Sequence, residues 1–104
     1  MKAANFAPAY CALYPKLAQV ARDHGYALAI HGTLARDFDL IAVPWGEMPT
    51  SPRLLVDAIT SQFAIRLIGD FEKKAHGRIA YTLSIEFGAC AIDLSFVNDM
   101  RVAP

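Results

Sequence analysis

The stretch Asp37–Val43 (DFDLIAV), closed by Pro44, constrains this chain more than any other. It reads as a strand, and a strand sends alternate side chains to the same face. Asp37 and Asp39 therefore point together beside apolar Phe38, Leu40 and Ala42. Two carboxylates about 7 Å apart repel by about 2 kcal/mol at an effective dielectric of about 20, so the pair is unfavourable without compensation. A divalent cation supplies it, and ligands that are all oxygen favour a hard ion, Mg2+ or Mn2+, which completes its shell with water and substrate phosphate. The metal-free alternative has one aspartate solvated at a strand end and the other paired with Arg36 or Arg78.

The elements around this strand follow from periodicity and breakers. Leu13, Leu17, Val20 and Ala21 recur at helical spacing, and Gly25 stands where a helix ends in a left-handed residue. Pro15 leaves two starts open: a helix beginning near Pro15, or an earlier one from about Ala7 that is kinked. Tyr26–His31 (YALAIH) is a short buried strand, joined by GTLAR to Asp37. Gly46–Pro52 is a loop. Ser51 as cap and Pro52 at the first position start a helix that runs to about Phe63. Ile65–Arg78 reads as a long polar loop with Gly69 and Gly77. Ile79–Phe87 and Cys90–Val97 alternate as a hairpin about Gly88 and Ala89. The fold expected is α+β of the two-layer α/β type: one domain over 1–104, with a small mixed sheet of about four strands and two or three helices on one face.

In the hairpin, Asp93 and Ser95 share a face opposite Ile92, Leu94 and Phe96. A turn at Gly88–Ala89 sets Ser84 across from Asp93 and Thr82 across from Ser95. Asp93 is a candidate third acid; Glu86, on the same face of its own strand, competes with it.

The chain is 55% hydrophobic and 19% charged, enough apolar material for a core. Ten basic residues balance ten acidic ones, so no bulk positive field draws it to nucleic acid. No run approaches the roughly 20 apolar residues of a membrane span, and no leader pattern opens the chain, which makes a cytoplasmic location the default. Cys11 and Cys90 lack disulfide or metal spacing and read as buried free thiols.

The stretches HGTLARDFDL and AIDL resemble the polymerase-β-like nucleotidyltransferase superfamily, especially its minimal members. The resemblance implies Gly32 and Thr33 as a phosphate-contacting pair, Asp37 and Asp39 as paired metal ligands, and Asp93 as the third carboxylate. Only Leu34–Arg36 separate Thr33 from Asp37, where the family carries a longer segment that often includes a short helix. The chain is also similar to short phage- or prophage-type proteins with an HG…RDxDLxAVPW stretch, a likeness that implies no defined activity.

The leading functional expectation is a minimal nucleotidyltransferase that moves a nucleotidyl group from a nucleoside triphosphate to an acceptor with Mg2+. Asp37, Asp39 and Asp93 are its catalytic and metal-binding acids. Arg36 is a substrate contact or a metal-free counter-charge, and Lys74, His76 and Arg78 close over a polyanionic substrate or form a solvated loop. His31 orients Asp37 or is structural, and Trp45 is a stacking surface for a base or part of a core or interface. The rival readings are a catalytically degenerate module that binds nucleotide, RNA or a protein partner, including as a homo-oligomer, and a small metal-dependent phosphatase or nuclease.

Overall fold

The computed structural model describes residues 6–46, 48–85 and 90–97. The first helix, α1 (Ala7–Asp23), starts at Ala7 with Pro8 in its first turn and runs through Pro15. Pro15 is exposed, so the ring that interrupts the helical bonding does so on the solvent side. Tyr10, Leu17, Ala18, Val20 and Ala21 make the buried stripe. The helix ends where the Gly25 N–H donates to the Arg22 carbonyl at 3.0 Å and Gly25 turns to φ +85°. A Cβ at Gly25 would sit 2.6 Å from Pro49 Cα, so glycine is required for space as well as for conformation.

Two strands follow, β1 (Tyr26–His31) and β2 (Asp37–Pro44), paired antiparallel. The second helix, α2 (Pro52–Gln62), has Ser51 in the cap position and Pro52 first. The serine side chain makes no capping hydrogen bond, so the entry depends on the fixed φ of proline. Ile65–Arg78 is not a loop. Ile65–Lys73 forms a strand, β3, and Ala75–Gly77 a single 3-10 turn before β4 (Ile79–Ile85) and β5 (Ala91–Phe96). The sheet therefore has five strands rather than about four, in the order β1-β2-β5-β4-β3. Only β2 and β5 pair in parallel; the other neighbours are antiparallel, so the sheet is mixed.

Both helices pack on one face. The buried side chains Phe38, Leu40, Leu28, Ile65, Tyr81, Leu83, Ile92, Leu94 and Phe96 form one cluster with Tyr10, Leu17, Leu55 and Ile59 from the helices. Aromatic pairs run through it, with Tyr10 stacked on Phe38 at 4.8 Å and Tyr26 edge-on to Phe96 at 5.2 Å. Among the described residues no helix covers the other face, called the open face below, where Ala80 and Ser95 are nevertheless buried. Cys90 is buried as expected, but Cys11 is exposed on α1; both are free. Among the described residues, no helix is long and apolar enough to cross a membrane.

Candidate metal and anion site on the open sheet face

Register brings the candidate acids together. Asp39 is the direct partner of Asp93 across the parallel β2–β5 pair, with Asp37 two residues earlier opposite Ala91. The row extends across the sheet, because His31 faces Asp39 and Thr82 faces Asp93. Side chains at paired positions share a face and lie about 5 Å apart. Four consecutive strands thus present His31, Asp39, Asp93 and Thr82 side by side, with Asp37 about 7 Å along from Asp39. Asp37 and Asp93 are exposed and Asp39 is half-buried.

The partner of Asp93 is Thr82, not Ser84, and Ser95 faces Ala80, not Thr82. The hairpin closes with the Ile85 N–H donating to the Cys90 carbonyl at 3.1 Å. This closure moves the register by two positions from the one that a turn at Gly88–Ala89 sets. A two-residue shift leaves every side chain on its own face, so the polar face survives. Glu86, Gly88 and Ala89 lie outside the described residues.

The electrostatics match this crowding. Burial pushes the Asp39 carboxyl above its ordinary value, and the neighbouring Asp93 and Asp37 charges push the same way, while His31 pulls it down. Among the described residues the ion pairs are Arg53–Asp57 and Lys74–Glu72, so neither Arg36 nor Arg78 neutralises the acids. Asp39 leans toward β1: a Cβ added to Gly32, at φ +77°, would lie 2.6 Å from Asp39 Oδ2. In this arrangement no three histidine, cysteine, aspartate or glutamate side chains among the described residues converge to hold a metal ion. Glycine suits position 32 because of its positive φ, and the Asp39 carboxylate occupies the space beside it.

Tyr10 fixes the frame. Its hydroxyl, on a fully buried side chain, donates to the Arg36 carbonyl just before β2 and accepts from the Ala91 N–H at 3.3 Å at the start of β5. One side chain of α1 therefore pins the ends of both strands that carry the acids. Burial holds the Tyr10 phenol above its usual value, so it stays neutral and able to donate.

The remaining candidates are dispersed. Thr33 is exposed, with its Oγ1 3.4 Å from the Ala35 N–H, and Leu34 adopts φ +63°, a strained value for a branched side chain. Arg36 is exposed beside Asp37. Lys74, His76 and Arg78 sit on the β3–β4 turn, at the end of the sheet where Ile79 pairs with Phe96, whereas Gly32–Arg36 lie at the Asp37 end. Lys74 pairs with Glu72 at 2.9 Å, and Arg78 buries an Nε with no hydrogen-bond partner. Trp45 is 73% exposed, so it is not core. It lines a hollow of about 330 Å³ with Tyr14, Arg22 and Tyr26, away from the acids.

Sequence reasoning passed over Arg66. In β3 it pairs with Ser84, which pairs with Ala91, which pairs with Asp37, so it shares the open face with the acids. The signal was the apolar–polar–apolar alternation of Ile65, Arg66 and Leu67.

No family model, no curated protein sequence and no solved structure matches the chain.

Proposed function

We propose that this domain is a minimal nucleotidyltransferase-like unit whose open sheet face binds Mg2+ through Asp37, Asp39 and Asp93 and acts on a nucleoside triphosphate. The observation that carries the reading is the Asp39–Asp93 register, which sets two carboxylates side by side on a face that packing does not require to be acidic. Like charges directly opposite one another destabilise a sheet, so the pairing calls for a counter-ion. The donors are all oxygen, as a hard cation requires. On this reading the Asp39 side chain must rotate away from Gly32 to join the cation.

When bound, the cation supplies charge to the phosphate oxygens and to the departing pyrophosphate. The residues do the rest. Asp37 and Asp39 hold the cation, and Asp93 serves as a further ligand or takes the proton of the attacking acceptor hydroxyl. That oxygen bonds to the α-phosphorus as the bond to the bridging oxygen breaks, and the proton passes from Asp93 to solvent. Thr33 and backbone N–H groups of the Gly32–Arg36 loop face the phosphates.

The test is magnesium-dependent pyrophosphate release from ATP or GTP in an acceptor screen. Asp39→Asn is expected to abolish it while leaving the circular dichroism spectrum intact; a fully active variant sinks the assignment. Release of inorganic phosphate, or cleavage of nucleic acid, redirects it to a phosphatase or nuclease.

A second reading, a binding module without catalysis, draws support from the short Leu34–Arg36 segment and from the tilt of Asp39 toward Gly32. Amide NMR during magnesium titration separates the two. Joint movement of Gly32, Asp37, Asp39 and Asp93 favours the metal site, and immobility at millimolar magnesium favours the module.

A further inference from the structure

At the far end of β2 from Asp37, the hollow of about 330 Å³ lies beside β1, an edge strand of the sheet. Tyr14, Ala18 and Arg22 line it from α1 and Leu28 from β1, with Trp45 beside them. Hydrogen bonding settles which way the backbone of this edge points. The Trp45 N–H donates to the Gly25 carbonyl at 2.8 Å, so Gly25 and the alternate positions after it turn their polar groups toward β2. Leu28 is out of phase with them. It turns both its N–H and its C=O away from β2, to the side where Tyr14 and the hollow lie. The Tyr14 hydroxyl shows the same phase, because it donates to the Leu28 carbonyl. The Leu28 N–H has no hydrogen-bond partner among the described residues, although Leu28 is only 7% exposed. Buried backbone donors are nearly always satisfied, by protein, water or a ligand.

We infer that this hollow binds a small planar heteroaromatic ring, which stacks on the Trp45 indole and accepts a hydrogen bond from the Leu28 N–H. Trp45 is 73% exposed and, among the described residues, packs against no other ring, so an indole face is open to stacking. Its backbone bond to Gly25 holds it at the hollow. The volume, at the low end for ligand sites, suits one or two fused rings. The edge selects against an extended peptide. A peptide strand added to β1 would use the Leu28 carbonyl as well as the N–H, and Tyr14 already sits on that carbonyl. A ring with one acceptor needs only the N–H. Arg22, in no ion pair among the described residues, favours a neutral or anionic ring over a cationic one. The acids of the open face lie elsewhere and play no part.

The experiment is an NMR titration with quinoline, whose ring nitrogen accepts a hydrogen bond, and with indole, which has two fused rings but no such acceptor. Trp45 is the one tryptophan of the chain, so its indole N–H gives a single signal, read beside the Leu28 amide. Quinoline is expected to move both signals saturably, the Leu28 amide downfield, and to bind about threefold to tenfold more tightly than indole, the usual worth of one hydrogen bond. Trp45→Ala, read at Leu28, should weaken quinoline by a similar factor and leave the circular dichroism spectrum unchanged, because the side chain is exposed. If millimolar quinoline moves neither signal, the hollow holds only water and the inference falls. Equal binding of quinoline and indole, or undiminished binding by Trp45→Ala, also overturns it. If a blocked hexapeptide of alternating threonine and valine moves the β1 amides where quinoline does not, the edge takes a strand and not a ring.

Discussion

The two faces of this sheet are built to different rules. On the covered face, Phe38, Leu40, Tyr81, Leu83, Ile92, Leu94 and Phe96 are each at most 1% exposed, and shape and volume dictate every identity. On the open face the same strands carry His31, Asp37, Asp39, Asp93, Thr82, Ser84 and Arg66, none of which the core needs. The contrast separates residues that make the fold from residues the fold displays. Folding accounts for the first set; the second, with like charges side by side, is the set on which the proposed binding rests.

The sharpest way to break this contrast is to truncate a covered side chain. Leu94→Ala, on the same strand as Asp93, should lower stability by about 2–5 kcal/mol in urea denaturation, because neighbours refill such a cavity only partly. Next comes Tyr10→Phe, which leaves the Arg36 carbonyl and the Ala91 N–H without their shared partner. It should cost about 1–3 kcal/mol and also shift the amides of Asp37 and Asp93, although Tyr10 is on the covered side. Unmoved amides would mean that the β2 and β5 ends are held by other contacts.

Asp39→Asn should do the reverse of Leu94→Ala. The folded carboxyl titrates above its ordinary value of 3.8, so the folded state holds the proton more tightly than the unfolded one. Stability is then lost as pH rises from the unfolded value through the folded one. Without magnesium, the variant and the parent should match at about pH 3, and the variant should melt slightly higher at about pH 7. Magnesium should reverse that order by stabilising only the parent. A variant that melts lower at neutral pH without metal would place Asp39 among the residues that make the fold. The smallest effect belongs to the exposed Arg53–Asp57 pair on α2, where Arg53→Ala should leave the urea midpoint close to that of the parent.

Period-two alternation made much of this architecture legible. It gave β2 to within one residue and a common face for Asp37 and Asp39, while β1 followed at its observed bounds from a short apolar run closed by a polar residue and a glycine. It did not give β3. There Gly69, at φ +67°, lies within a register break between Ile68 and Glu72, and an edge strand needs no continuous apolar face, so Ile65–Arg78 resembles a loop. With β3 hidden, Arg66 had no face, and the far-end position of Lys74, His76 and Arg78 could not be read. The hairpin register differs by two positions because it is set by backbone closure at Ile85 and Cys90, which the place of the glycine alone does not reveal. The early start of α1 was one of two readings, and the exposure of Pro15 is what permits it.

The parallel pairing of β2 with β5 has a kinetic consequence. Hairpins such as β3–β4 close over short stretches of chain, whereas Asp39 and Asp93 pair across adjacent strands that α2, β3 and β4 separate in the sequence. Closing a loop of that length costs more chain entropy than closing a hairpin, so this pairing is expected to form late in assembly. The acids would then remain apart until the last long-range contact forms, so cation binding would report completed folding, and a chain stalled with its helices and outer hairpin in place would bind nothing.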